Sequence, residues 1–222
     1  MQAISHIATA LIVKRRFPAA PLFGLILATE AVEFLWIGLN LVGLERTLMA
    51  DDLRSVADIH LIHMPFSHSV LTSAAFAVLA GLFVLWWGGK HAHQIAVAIS
   101  ICVGSHIVLD LIVHAPDIPL MPYFDQLKFG TGLYSGLPMV AFAVELLWCV
   151  LCWRIYRGSI GLFLLILIIG LSSIPFYSVT INSGEEMLAG QSDLFAIIIL
   201  AQIIATSVLV WIFAKPKSET AT

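Results

Sequence analysis

The sequence predicts an all-α, polytopic membrane bundle of about six transmembrane helices, with a short half-inserted helix ahead of them. Three observations carry that prediction. Hydrophobic residues make up 60% of the chain and charged residues only 11%, where a soluble domain carries about 25% charged residues. The mean hydropathy of +0.98 is gathered into long apolar runs with short polar connections between them. Counting those runs as crossings also sorts the basic residues. Lys14, Arg15, Arg16, Lys90, Arg154, Arg157, Lys215 and Lys217 fall on one side, leaving only Arg46, Arg54 and Lys128 of the 11 on the other. The positive-inside preference then places both termini in the cytoplasm.

The elements follow in order. Residues 1–13 are apolar but shorter than the roughly 20 residues a crossing needs, so they read as a partly inserted helix packed against protein, carrying His6. Lys14, Arg15 and Arg16 follow this stretch instead of preceding it, which is not the layout of a signal peptide. After Pro18 and Pro21 the first long run extends from Leu22 to Leu44 and contains Glu30 and Glu33. Residues 45–67 form a polar connection in which Glu45, Asp51 and Asp52 read as solvated loop charges. Further runs cover 69–87, 94–115, 137–153, 159–181 and 194–214, with Trp86 and Trp87 as interface anchors. A Pro/Gly-rich segment occupies 116–136. No internal repeat is evident, and the whole chain, 1–222, reads as one integral-membrane domain. Cys102, Cys149 and Cys152 sit in apolar runs and read as helix-packing residues. A net charge of -3 and the lack of a basic patch exclude a general nucleic-acid binder.

The chemistry concentrates in His106-Ile-Val-Leu-Asp110-Leu-Ile-Val-His114. Residues four apart are rotated only about 40° on a helix, so one face of an apolar span presents imidazole, carboxylate, imidazole. At about 1.5 Å of rise per residue, Glu30, Glu33, His106, Asp110, Glu145 and His6 fall near the middle of a core about 30 Å thick. His63, His68 and His114 fall nearer the outer rim. The expected picture is a polar cavity opening outward. Ionisable groups at that depth cost about 2.5–3.5 kcal/mol each on insertion scales and mark functional sites by default. The carboxylates have no intramembrane Lys or Arg to pair with. Protons, histidinium or a bound cation must offset them, and a mixed His/Asp/Glu set suits zinc or a similar divalent ion.

At these residues the chain resembles the bacterial membrane-bound metal-dependent hydrolase family, itself distantly similar to zinc-dependent phospholipase C and P1-type nucleases. Ser5-His6 matches the family's first element. His63-Met-Pro-Phe-Ser-His68-Ser69 keeps both histidines and the serine of the second, with Met64 and Pro65 in place of Arg and Gly. Ser105-His106-Ile-Val-Leu-Asp110 matches the last. The family's Pro-Asp-x-Asp tract is replaced by Glu30-Ala-Val-Glu33. A variant integral-membrane subgroup is nearer, through Glu33-Phe-Leu-Trp36, Ser67-His68-Ser69 and His114-Ala-Pro-Asp117-Ile-Pro-Leu. The resemblance covers residues 3–147, and the helices at 159–181 and 194–214 add nothing to it.

The resemblance implies a multi-pass protein of the bacterial inner membrane whose site lies toward the extracytoplasmic side. His6, His63, His68, His106 and Asp110 would hold one or more divalent ions, zinc by preference. Glu30 or Glu33 would be the remaining ligand or the general base, and His114, Asp117, Glu145 and Ser69 would support the ligands. A metal-activated water would attack an ester or phosphoester, and a lipid-tailed substrate would suit a site between membrane helices. Two other classes stand beside this one: an ion or proton relay lined by Glu30, Glu33, Asp110 and Glu145, and a non-catalytic scaffold with a structural metal.

Overall fold

The computed structural model describes residues 1–49, 59–124, 126–178 and 192–214. Helix makes up 74% of it, which settles the all-α class. Helix α1 (Ala3–Arg16) has 14 residues, about 21 Å at 1.5 Å each. It is too short to cross, yet every residue from Ile4 to Leu11 is buried. A helix covered on all faces belongs in a protein interior, and α1 is the central element of the bundle. Its basic last turn suits the negative end of the helix dipole, and Lys14 Nζ donates to the carbonyls of Pro18 and Ala20 at 2.7 and 2.9 Å.

The run expected as one span from Leu22 is two helices, α2 (Leu22–Thr29) and α3 (Ala31–Leu41), bent by 50°. The break falls on Glu30, at φ -100° and ψ 4°, in the sparsely populated bridge region. Two short strands follow, β1 (Arg46–Met49) and β2 (Ile59–His63), paired antiparallel with Arg46 opposite His63.

Helices α4 (Val70–Trp87) and α5 (Ala92–Val113) form a hairpin through a turn in which Gly88, Gly89 and His91 all have positive φ. The two pack closely because Gly81 has no side chain. A Cβ there would stand 2.2 Å from Ser100 Oγ and 3.3 Å from the Ala96 carbonyl. The Pro/Gly-rich segment folds as a second small hairpin, β3 (Ile118–Pro119) with β4 (Lys128–Phe129), followed by the single turn α6 (Leu133–Gly136). Gly130, at φ 141°, passes so near the end of α5 that a Cβ would lie 2.1 Å from the Ala115 carbonyl.

Helix α7 (Pro138–Tyr156) begins on a proline, whose missing N–H costs nothing at that position. Next come α8 (Ile160–Ser172), capped by Ser159 Oγ accepting from the Leu162 amide, then α9 (Ile174–Tyr177) and α10 (Ser192–Phe213). Tyr156 OH and Ser159 Oγ donate to the Ala214 and Phe213 carbonyls, satisfying groups that a helix end leaves open.

Among the described residues four helices, α4, α5, α7 and α10, are each long and apolar enough to cross a membrane, and counting the bent α2–α3 pair as one span brings the number to five. In the stretch expected as a span at 159–181, α8 is a 13-residue apolar helix. Val78, Leu79, Leu82 and Phe83 of α4 are exposed, an outer surface suited to lipid. Trp86 and Trp87 mark its end and are nearly bare, in keeping with an interfacial position. Around α1 the interior is filled by Leu25, Ile26, Val32, Ala98, Cys102, Val103, Cys149, Cys152, Leu162 and Ile166. The cysteines are free and buried, in keeping with packing.

Candidate metal centre

The centre forms where four segments begin, end or turn. Each supplies polar side chains that an apolar helix cannot otherwise accommodate. His6 comes from the first turns of α1, Glu33 from the first turn of α3, His68 from the turn before α4, and His106 and Asp110 from the last turns of α5. The break at Glu30 has a direct consequence here. His106 Nδ1 donates to the Thr29 carbonyl at 2.8 Å. A carbonyl only accepts, so the ring proton sits on Nδ1, and the Nε2 lone pair is directed into the site.

That Nε2 lies 3.3 Å from Asp110 Oδ2 and 3.6 Å from Glu33 Oε1. His68 Nε2 is 3.6 Å from the same Glu33 oxygen and 3.9 Å from Asp110 Oδ2. The rings of His6 and His106 stack with centroids 3.8 Å apart and planes 8° apart, and His6 Nε2 lies 3.4 Å from Asp110 Oδ1. Two ligand triads result, His6/His106/Asp110 and Glu33/His68/His106, in each of which one donor atom per residue lies within 4.8 Å of the others. Asp110 faces both ways. Its Oδ1 also accepts from the Met1 amine at 2.5 Å and lies 3.7 Å from His114 Nε2.

The donor set fits a divalent ion. A tetrahedral site with bonds of about 2.0–2.2 Å separates its ligand atoms by about 3.3–3.6 Å, close to the spacings found. Burial supports the same reading. His6, His68, His106 and Asp110 are 2% exposed or less. Among the described residues, both His6 nitrogens, His106 Nε2 and Asp110 Oδ2 have no hydrogen-bond partner. Leaving such groups unmatched costs about 1–3 kcal/mol apiece, and a cation would engage them together. Glu33, whose side chain is 20% exposed, is the most open of the set.

Other expected residues fall in different places. His68, from the turn before α4, is buried and joins Glu33 and His106. Glu30 is fully buried at the bend between α2 and α3, three residues before Glu33, and neither of its oxygens has a hydrogen-bond partner among the described residues. Glu145 is engaged elsewhere. It accepts from the Gln2 amide and Ser5 Oγ through one oxygen, and from Tyr134 and Tyr177 through the other. His114 packs edge-on against Tyr134. Ser69 Oγ is hydrogen-bonded to Thr72 Oγ1 at 2.6 Å, so its partner is a neighbour in the first turn of α4. Asp117 lies buried just past α5. The side chain of His63 lies outside the described residues, as do Asp51 and Asp52.

One expectation is corrected. Glu45 is not a solvated loop charge but fully buried. The hairpin of β1 and β2 returns the chain so that Glu45 meets the amides of Phe66 and Ser67. Glu45, Ser67 and the Thr29 carbonyl are the contacts that sequence reasoning missed. No spacing signal relates Glu45 to Ser67, since their proximity depends on the strand pairing. No family model, curated protein or solved structure matches this chain.

Proposed function

We propose that this chain is a membrane-embedded, metal-dependent hydrolase acting on an ester or phosphoester. The observation that carries the proposal is that His68 Nε2 and His106 Nε2 each lie 3.3–3.9 Å from both Glu33 Oε1 and Asp110 Oδ2 in a buried site. These side chains, with His6 beside them, would hold a divalent ion, zinc by the chemistry of the donors. Bound there, the ion supplies Lewis acidity and lowers the pKa of a water molecule. The chain's own groups do the rest. Thr29 orients His106, Asp110 presents one oxygen to each triad, and Glu30 offers an unengaged carboxyl next to the ligands to take a proton from water. Lipid-tailed substrates suit the setting, since the centre is enclosed by apolar helices. The reading also takes six crossings, cytoplasmic termini and a site facing the extracytoplasmic side of a bacterial inner membrane, as the distribution of basic residues and the resemblance to membrane-bound metal-dependent hydrolases suggest.

The test is metal content and turnover of the detergent-purified protein. Near-stoichiometric zinc or another divalent ion should co-purify, and His106→Ala or Asp110→Ala should lose it. A chromogenic phosphodiester or a lipid ester should be cleaved by the parent protein and not by either variant. The buried carboxyl of Glu30, without a hydrogen-bond partner among the described residues, favours a proton relay as the second reading. That reading gains if the protein holds no metal and instead carries pH-driven current in liposomes.

A further inference from the structure

We infer that Glu45 is a positioning residue which, acting through Ser67, fixes the imidazole of His68 with its proton on Nδ1 and its Nε2 free for a ligand. The polarity of the hydrogen bonds leads to this. Glu45 Oε1 accepts the backbone N–H groups of Phe66 at 2.7 Å and Ser67 at 2.9 Å. Its other oxygen accepts the Ser67 hydroxyl at 2.6 Å. A serine has one hydroxyl proton, and that proton is used. The contact of 2.8 Å between Ser67 Oγ and His68 Nδ1 therefore has Ser67 as acceptor and the imidazole as donor. Nε2 is left with its lone pair, 3.6 Å from Glu33 Oε1 and 3.9 Å from Asp110 Oδ2.

The relay is held firmly. Every polar group of Ser67 is committed: its N–H and O–H to Glu45, and its carbonyl to Ser73 Oγ at 3.0 Å on α4. Glu45, Ser67 and His68 are all 2% exposed or less, so water does not compete for these bonds. The arrangement on His68 parallels that on His106, where the Thr29 carbonyl fixes the same tautomer. His68 differs in being tied to a carboxylate, which makes its ring a stronger electron donor. Such outer partners commonly hold metal-binding histidines in place. The hairpin thereby gains a role in the site. Glu45 directly precedes Arg46, which pairs with His63 at one end of the β1–β2 ladder, and the hairpin brings the carboxylate back to a turn 22 residues downstream.

The inference rests on the metal reading for its consequence but not for its geometry, and the test separates the two. Glu45→Gln keeps the shape and reverses one polarity. The Gln oxygen still accepts the two amides, its NH2 donates to Ser67, and the Ser67 hydroxyl then donates to His68 Nδ1. Ring 15N chemical shifts of His68 in metal-free protein should show the Nδ1–H form in the parent and the Nε2–H form in Glu45→Gln, with His68→Asn assigning the signal. Zinc affinity, measured by competition with a chromogenic chelator, should fall 10–100-fold in Glu45→Gln. Ser67→Ala, which retains the Glu45 bonds to both amides, should give a mixture of tautomers and a smaller loss. It decides the matter if Glu45→Gln does not fold. A His68 ring that keeps Nδ1–H in both variants, or is already Nε2–H in the parent, overturns the inference. A tautomer switch in a protein that binds no metal would sustain the relay and sink the metal reading instead.

Discussion

Replacing Glu145 should cost more stability than any other single polar substitution outside the metal cluster. Its carboxylate receives four donors: the Gln2 amide at 2.8 Å, Ser5 Oγ at 2.9 Å, Tyr134 OH at 2.5 Å and Tyr177 OH at 2.8 Å. Glu145, Ser5, Tyr134 and Tyr177 are all 3% exposed or less, so no solvent would replace a lost partner. Leaving a buried donor unsatisfied costs about 1–3 kcal/mol. If two of the three hydroxyls find other acceptors, Glu145→Leu still strands the Gln2 amide and one hydroxyl, for a cost of about 2–6 kcal/mol. That is a large share of a typical total of 5–15 kcal/mol. Glu145→Gln should cost less, about 1–3 kcal/mol, because its amide oxygen still serves Gln2 and Ser5 while the tyrosines turn to accept from its NH2. The assay is thermal unfolding in detergent, read by the retention of folded protein after heating. The variants Tyr134→Phe and Tyr177→Phe measure single bonds and should each cost about 0.5–1.5 kcal/mol. A Glu145→Leu protein within 1 kcal/mol of the parent would refute the reasoning, since it would mean that these donors are satisfied without the carboxylate.

Zinc added at about 100 times its dissociation constant should stabilise metal-stripped protein by about 2.7 kcal/mol, seen as a higher unfolding temperature; a His106→Ala protein should show no shift. Stripping and reloading should likewise switch any phosphodiesterase activity off and on, and activity indifferent to chelation would count against the metal centre. Gly81→Ala should destabilise the hairpin of α4 and α5 by about 1–3 kcal/mol, because its Cβ meets Ser100 Oγ and the Ala96 carbonyl. Adding Ser100→Ala should recover part of that cost but not all, since the carbonyl remains. Glu30→Gln should leave zinc content unchanged while lowering turnover at least 10²-fold, the lower end of what a positioned proton acceptor contributes. Equal loss of metal and activity would make Glu30 a ligand instead.

Much of this architecture is readable from hydropathy alone. The runs that became α4, α5, α7 and α10 are long and uninterrupted, and the spacing of His106, Asp110 and His114 already places them on one face of α5. The rest was hidden for physical reasons. A 14-residue apolar helix reads as partly inserted and packed against protein because it is shorter than a crossing needs, and nothing in its length says that it is the centre of the bundle. The central place of α1 comes from tertiary packing, with Ser5 and Thr9 bonded to Glu145 and Trp148 of α7. The break after Thr29 has no proline to announce it. Glu45 sits among loop charges that resemble it in type, and only strand pairing brings it to Ser67.

The short central helix also constrains how the protein is made. The Gln2 amide that opens α1 finds its acceptor in Glu145, a residue synthesised more than 100 positions later. Until α7 emerges from the ribosome, lipid has nothing to offer that amide. The first segment must therefore wait at the bilayer surface, or in the care of an insertion factor, and slip into place once its neighbours have arrived. A nascent chain halted before Pro138 should leave a cysteine placed in α1 open to a membrane-impermeant thiol reagent, and the finished chain should not.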